Sequence, residues 1–150
     1  MKVDRKGYIS KIWIYKERRK GYVNNYKGKI PVSKTYRYKL FTIRISQWTK
    51  EIKRLDVRKN KINKILNAVN YFFCVNVESR STKPEVVLAR RIYFKIGLES
   101  GICGTHLARH IGRKHYDIAS YNRNKLIQSF KTNPENKKAF HNFKRYFENK

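Results

Sequence analysis

Residues 104–125 read Gly104-Thr-His-Leu-Ala-Arg-His-Ile-Gly112-Arg-Lys-His-Tyr-Asp-Ile-Ala-Ser-Tyr-Asn-Arg-Asn-Lys125. Cationic and hydrogen-bonding side chains alternate here with apolar ones at helical spacing. Leu107 and Ile111 lie one turn apart and predict the inner face of a first helix, with Ala108 small where a second helix must come close. Gly112 falls where that helix must end, and glycine accepts the left-handed conformation such ends use. Ile118 and Tyr121 then predict the inner face of a second helix that begins at about His115. Arg113, Lys114, His115, Tyr116, Ser120 and Arg123 are left pointing outward. Side chains of these types can pair with phosphates and hydrogen-bond base edges in a groove. The pattern is that of a helix-turn-helix.

Each outward residue also has a plainer reading. Arg113, Lys114 and Arg123 suit phosphate clamps or guanine readers, or they are solvated surface charge. His115 suits donation to a phosphate at a helix N-terminus, or a cap. Asp117, an acid amid bases, suits the first helical turn through the helix dipole, or accepts from a cytosine amino group. Tyr116 can stack, touch a thymine methyl, bond a phosphate, or pack near Tyr121.

The 150-residue chain has a formal charge of +27 from 37 Lys and Arg against 10 Asp and Glu. Charge of this size repels itself in a compact state and calls for a polyanionic partner. Nucleic acid is expected, because each phosphate contact releases a counterion. A membrane is not, since no long apolar run or strongly lopsided amphipathic helix is present. Residues 1–60 hold 19 basic and 4 acidic residues, residues 61–150 hold 18 and 6.

Catalytic and metal chemistry find little support. Cys103, His106 and His110 have no fourth ligand at finger-like spacing, so no metal is expected. Asp4, Glu17, Glu51 and Asp56 are scattered, without the paired acids of a two-metal nuclease. Cys74 and Cys103 form no CxxC pair and are expected to be reduced and structural. The expectation is a non-enzymatic protein without cofactor. The first residues lack the apolar stretch of a signal peptide, which predicts a cytoplasmic location.

The elements that must position the candidate residues suggest an α+β chain. Residues 8–15 and 36–45 alternate like half-buried strands, with turn signals between them, and predict a small basic sheet or arm over 1–55. Its aromatic rings suit the core of such a sheet, or a stacking platform for single-stranded nucleic acid. From about Asp56 the period becomes helical, and 56–150 is expected to form a DNA-binding domain of four to five helices. Ile62, Ile65, Leu66, Val69 and Phe73 mark one helix. Thr82-Lys-Pro-Glu85 resembles a capping box opening the next, and Asn133-Pro134-Glu135 opens the last, with Ala139, Phe140, Phe143 and Phe147 as its stripe.

The helical half resembles the C-terminal DNA-binding domain of the bacterial replication initiator DnaA. Residues 79–92, Ser-Arg-Ser-Thr-Lys-Pro-Glu-Val-Val-Leu-Ala-Arg-Arg-Ile, follow the order of that family's basic loop and following helix. Gly112-Arg113-Lys114-His115-Tyr116-Asp117-Ile118 is similar to the signature Gly-Gly-Arg-Asp-His-Ser/Thr-Thr-Val, and Asn133-Pro134-Glu135 also fits. The resemblance implies double-stranded DNA as partner. It places Arg113, His115 and Tyr116 at phosphate and major-groove positions, with Arg80 and Lys83 at the adjacent minor groove or backbone. One signature Gly is missing, and Lys114, Tyr116 and Asp117 change the groups offered to bases. The family's docking mode with a different sequence read is thus implied. No Gly-x-x-x-x-Gly-Lys-Ser/Thr occurs, so ATP-driven melting is not expected. A role in replication initiation or transcriptional regulation follows from the resemblance; the alternatives are a packaging protein and a single-strand binder acting through the N-terminal part.

Overall fold

Large side chains recur over residues 8–26 at steps of four and three: Tyr8, Ile12, Tyr15, Arg19, Tyr22, Tyr26. A second series runs Tyr38, Phe41, Ile45, Trp48, Ile52, Leu55. Steps averaging 3.5 residues line one face of a helix and no face of a strand. In the computed structural model, which describes residues 5–113, 115 and 117–149, both series lie in helices, with Tyr26 alone just past the end of the first. The elements are α1 Arg5–Asn24, a 3-10 turn Val32–Lys34, α2 Tyr36–Phe73, α3 Pro84–Glu99, α4 Gly104–His110, α5 Ile118–Thr132 and α6 Pro134–Glu148. Helix makes up 80% of the structure, and no strand occurs among the described residues. The expected α+β class with a β-rich N-terminal part is therefore overturned. Aromatic and β-branched residues favour strands only weakly and by context. The two-residue alternation lasts a few residues, whereas the 4-3 spacing persists over five turns and decides the structure. For the same reason the helix expected from about Asp56 begins twenty residues earlier, at Tyr36.

Two compact units divide the chain, Met1–Arg58 and Lys59–Lys150. In the first, α1 and the start of α2 form an antiparallel hairpin zipped by rings. Tyr15 meets Trp48 and Phe41 edge-on, with centroids 4.7 and 5.8 Å apart. At one end Arg5 pairs with Asp56 at 2.9 Å; toward the other the Arg37 guanidinium lies 5.7 Å from the Tyr22 ring centroid. Thr35 opens α2, its Oγ1 accepting from the Tyr38 N–H at 3.4 Å. No apolar side chain described in residues 5–58 is buried.

The second unit holds the core. Ile62, Ile65, Leu66 and Val69 of α2 contribute to it, as do Ile92, Tyr93 and Phe94 of α3, Leu107 and Ala108 of α4, Ala119 and Leu126 of α5, and Phe140 and Phe143 of α6. α3 packs most extensively on α5. The start of α6 is as its sequence signal implies: Pro134 is the first residue and the Asn133 side chain accepts from the Glu135 N–H at 3.0 Å. The capping box at Thr82 does not form. Lys83 is the N-cap of α3, without a side-chain bond, and Pro84 starts the helix.

Three helix C-termini of this unit close in the same way, with a left-handed residue and paired 6→1 and 5→2 hydrogen bonds. Gly101 (φ 75°) ends α3, Gly112 (φ 69°) ends α4, and Cys74 (φ 51°) ends α2. For α2 the bonds are Val75 N–H to Asn70 O at 3.1 Å and Cys74 N–H to Tyr71 O at 3.3 Å. Cys74 is exposed, contrary to the packed role expected of it. Its Cβ meets the steric penalty of the left-handed region, roughly 1–2 kcal/mol. Cys74→Gly is expected to raise the unfolding free energy by about 0.5–1 kcal/mol, after the entropy cost of glycine is subtracted. Urea unfolding checks this, and an unchanged or lower midpoint contradicts it.

Candidate nucleic-acid interface

The turn between α4 and α5 is built from its ends inward. Gly112 N–H donates to Arg109 O at 3.1 Å and Arg113 N–H to Ala108 O at 2.9 Å, closing α4. The carbonyls of a helix's last turn need partners from outside the helix. That of Leu107 accepts from the buried Tyr93 hydroxyl at 3.2 Å. Burial, reinforced by the Glu78 charge, pushes the Tyr93 phenol well above its usual range, so it remains a neutral donor. Leu107, Ala108 and Ile111 are all buried, as their spacing implies.

Arg113 does not point freely outward. Its Nη2 donates to the Ser79 carbonyl at 2.9 Å, which ties the turn to the basic loop before α3. Arg90 of α3 donates to the same carbonyl at 2.7 Å, and also to the Ser81 and Val77 carbonyls. Burial first, and then the Arg113 charge, lowers the Arg90 pKa. Two guanidiniums thus converge on one loop. Within that loop the Ser79 and Ser81 hydroxyl oxygens accept from the N–H groups of Ser81 and Lys83, holding it in successive tight turns. Arg80 and Lys83 are left exposed on it. The two stretches that the sequence marked separately, 79–83 and the turn at Arg113, are therefore hydrogen-bonded to each other.

The second helix starts later and in a different phase from that expected. α5 begins at Ile118 rather than His115, with Asp117 as an exposed N-cap whose carboxylate makes no capping bond. His115 precedes it in the turn and is exposed; Lys114 and Tyr116 lie outside the described residues. The inner stripe is Ala119, Asn122, Arg123, Leu126 and Phe130, so Tyr121 faces outward at 58% exposure. Ile118 packs partly buried against the core as its spacing implies, but Ala119 and Leu126, two turns apart, set the buried stripe and leave Tyr121 outside it. Arg123 is correspondingly half-buried, its guanidinium donating to Asn124 Oδ1 at 3.2 and 3.3 Å. Ser120 is exposed as expected.

The exposed face of α5 thus offers Ser120, Tyr121, Asn124 and Lys125. The Lys125 ammonium stands 5.8 Å from the Tyr121 ring centroid, one turn along. No acid occurs in α5. Asn124 and Lys125 carry no mark in the sequence reading and Tyr121 is expected there on the inner face; the Ala119–Leu126 spacing is the signal that sets the phase. Arg90 was passed over too, although it is a cation within an otherwise apolar helix face.

Burial lowers the His110 pKa, with Glu78 opposing and Lys59 reinforcing the shift. Among the described residues no group of three His, Cys, Asp or Glu could hold a metal ion. None of the helices described is long and apolar enough to cross a membrane. Comparison with protein-family models, curated proteins and solved structures gives no match to this chain.

Proposed function

We propose that this chain binds double-stranded DNA without catalysing a reaction. In this reading α5 enters the major groove and the 79–83 loop rests on the flanking backbone. The observation that carries it is the Arg113–Ser79 hydrogen bond, which joins the basic loop to the helix-turn-helix turn. Ser120, Tyr121, Asn124 and Lys125 present donors, acceptors and an aromatic ring from an acid-free helix face. Asn is suited to adenine, and Lys to guanine or phosphate. Exposed Arg80 and Lys83 supply phosphate pairing. A role in replication initiation or transcriptional regulation, as the initiator resemblance implies, belongs to the same proposal. In that family's terms Arg113 is a DNA contact; here it also braces the loop, using part of its five-donor fork.

Selection of a randomised duplex library tests the reading, followed by titration of the enriched site. A specificity ratio above ~10³ at physiological salt is expected of a regulator. Arg113→Ala is expected to weaken the selected duplex about tenfold, since it removes a contact and releases the loop. Asn124→Ala should lower the specificity ratio by roughly 1–3 kcal/mol while leaving random-duplex affinity unchanged. Lys137→Ala, at an exposed position of α6, should do little. If selection enriches no motif, sequence reading by α5 is wrong.

A further inference from the structure

We infer that the N-terminal hairpin carries a second nucleic-acid site, a cleft that takes one unpaired nucleotide of a single strand. The cleft lies between the end of α1 and the start of α2. It encloses about 510 Å³ and is lined by Arg18, Gly21, Tyr22, Asn25, Arg37 and Phe41. Small-ligand sites commonly span roughly 300–1,000 Å³, so one nucleotide is a suitable occupant. Two cations and an amide face two aromatic rings, and no carboxylate lines the cleft. This is the pairing of charged groove and stacking surface by which proteins hold single strands. The Arg18 and Arg37 guanidiniums stand over the Tyr15 and Tyr22 rings, each 5.7 Å from the centroid, which orders them without neutralising them. Gly21 has nothing within 4 Å of where a Cβ would sit, so the absence of its side chain leaves the cleft open. Tyr36, 80% exposed, precedes Arg37 and offers a ring for a neighbouring base.

The charge around the cleft favours a polymer over a small anion. Residues 1–58 contain 18 Lys and Arg against four Asp and Glu. Two of those four acids are already paired, Asp56 with Arg5 and Glu51 with Arg54. Exposed Lys20, Lys27, Lys29 and Lys34 flank the cleft in the chain and can follow a phosphate backbone. A duplex keeps its bases stacked inside and has none to place in the cleft beside Tyr22 and Phe41. The inference is independent of the helix-turn-helix reading.

Titration of the full chain with labelled oligothymidylate, and with an abasic strand of equal length, tests it by anisotropy. Thymidylate is expected to bind at least fivefold tighter than the abasic strand, since stacking contributes about 1–3 kcal/mol per base. Gly21→Leu fills the cleft without changing charge and should abolish that preference while circular dichroism stays helical. Arg18→Gln with Arg37→Gln should weaken thymidylate binding at least tenfold. Lys50→Gln with Lys53→Gln, which removes equal charge outside the cleft, should weaken it less than threefold. Thymidine monophosphate at equal nucleotide concentration should compete poorly; full competition would make this a mononucleotide site and overturn the polymer assignment. Equal affinity for the two strands, an undiminished preference in Gly21→Leu, or equal losses in the two glutamine pairs would each overturn the cleft. Titrations with the selected duplex run beside these test the α5 reading separately, through its sequence preference.

Discussion

Duplex affinity of this chain is expected to fall roughly 10³–10⁵-fold between 50 and 200 mM salt, the range for proteins that neutralise about six to ten phosphates. The expectation follows from how its charge is held. With 37 basic and 10 acidic residues, few cations can be satisfied within the chain. The ion pairs that do form are solvent-exposed or helix-local, such as Arg54–Glu51 at 2.6 Å and Lys95–Glu99 at 2.7 Å. Pairs of that kind contribute little to stability, so most of the charge is available to phosphates. Replacing Arg80, Lys83 and Lys125 together by glutamine should lower the log–log salt slope by about 3, close to 0.9 for each cation. A slope change below about 1 would mean that these three side chains do not reach the backbone, and the docking of α5 with the 79–83 loop would have to be abandoned.

The largest expected effect on stability is at Gly97. A Cβ there would stand 2.5 and 2.6 Å from the two Leu107 Cδ atoms, and Leu107 is fully buried. Neither residue has room to give. Leu107 is fixed through its carbonyl by the Tyr93 hydroxyl, and Gly97 is itself buried in α3. Alanine elsewhere in a helix gains about 0.5–1 kcal/mol over glycine, which here is set against the cost of overpacking. Gly97→Val is expected to cost about 3 kcal/mol or more, because overpacking costs typically 1–3 kcal/mol and the branched side chain adds to it. Leu107→Ala alone should cost about 2–5 kcal/mol. Combined with Gly97→Ala, that loss should be partly recovered, since the new methyl enters the space Leu107 vacates. Denaturant unfolding of the four proteins of this cycle measures the coupling. Additive losses would show that α3 and α4 do not meet through this pair.

The fold was legible in the sequence wherever one signal dominated. Asn133-Pro134-Glu135 opened a helix because a cap, a fixed φ and a first-turn acid agree on the same boundary. Gly112 was read as a left-handed helix end and is one, since glycine after Leu107 and Ile111 meets no competing pattern. The first 55 residues were misread because two periods coexist there. Ile12 and Ile14 opposite Trp13 and Tyr15 look like a strand over four residues. Only the longer series from Tyr8 to Tyr26 shows that Tyr15 must share a face with Tyr22. The candidate interface was half legible. Arg80, Lys83, His115 and Ser120 are exposed as read. The bond from Arg113 to the Ser79 carbonyl spans 34 residues and leaves no local signature. The phase of α5 turned on Ala119, a small residue whose pull toward the core is weaker by pattern than that of Tyr121.

The hairpin of α1 and the start of α2 buries none of its described apolar side chains. Heat capacity and denaturant sensitivity both scale with the surface that unfolding newly exposes. Opening this hairpin is therefore expected to add little to the heat-capacity increment, and its melting to be broad and shallow. Calorimetry of the whole chain would register chiefly the unit from Lys59 onward. The first 58 residues add much of the chain's charge and little of its cooperativity.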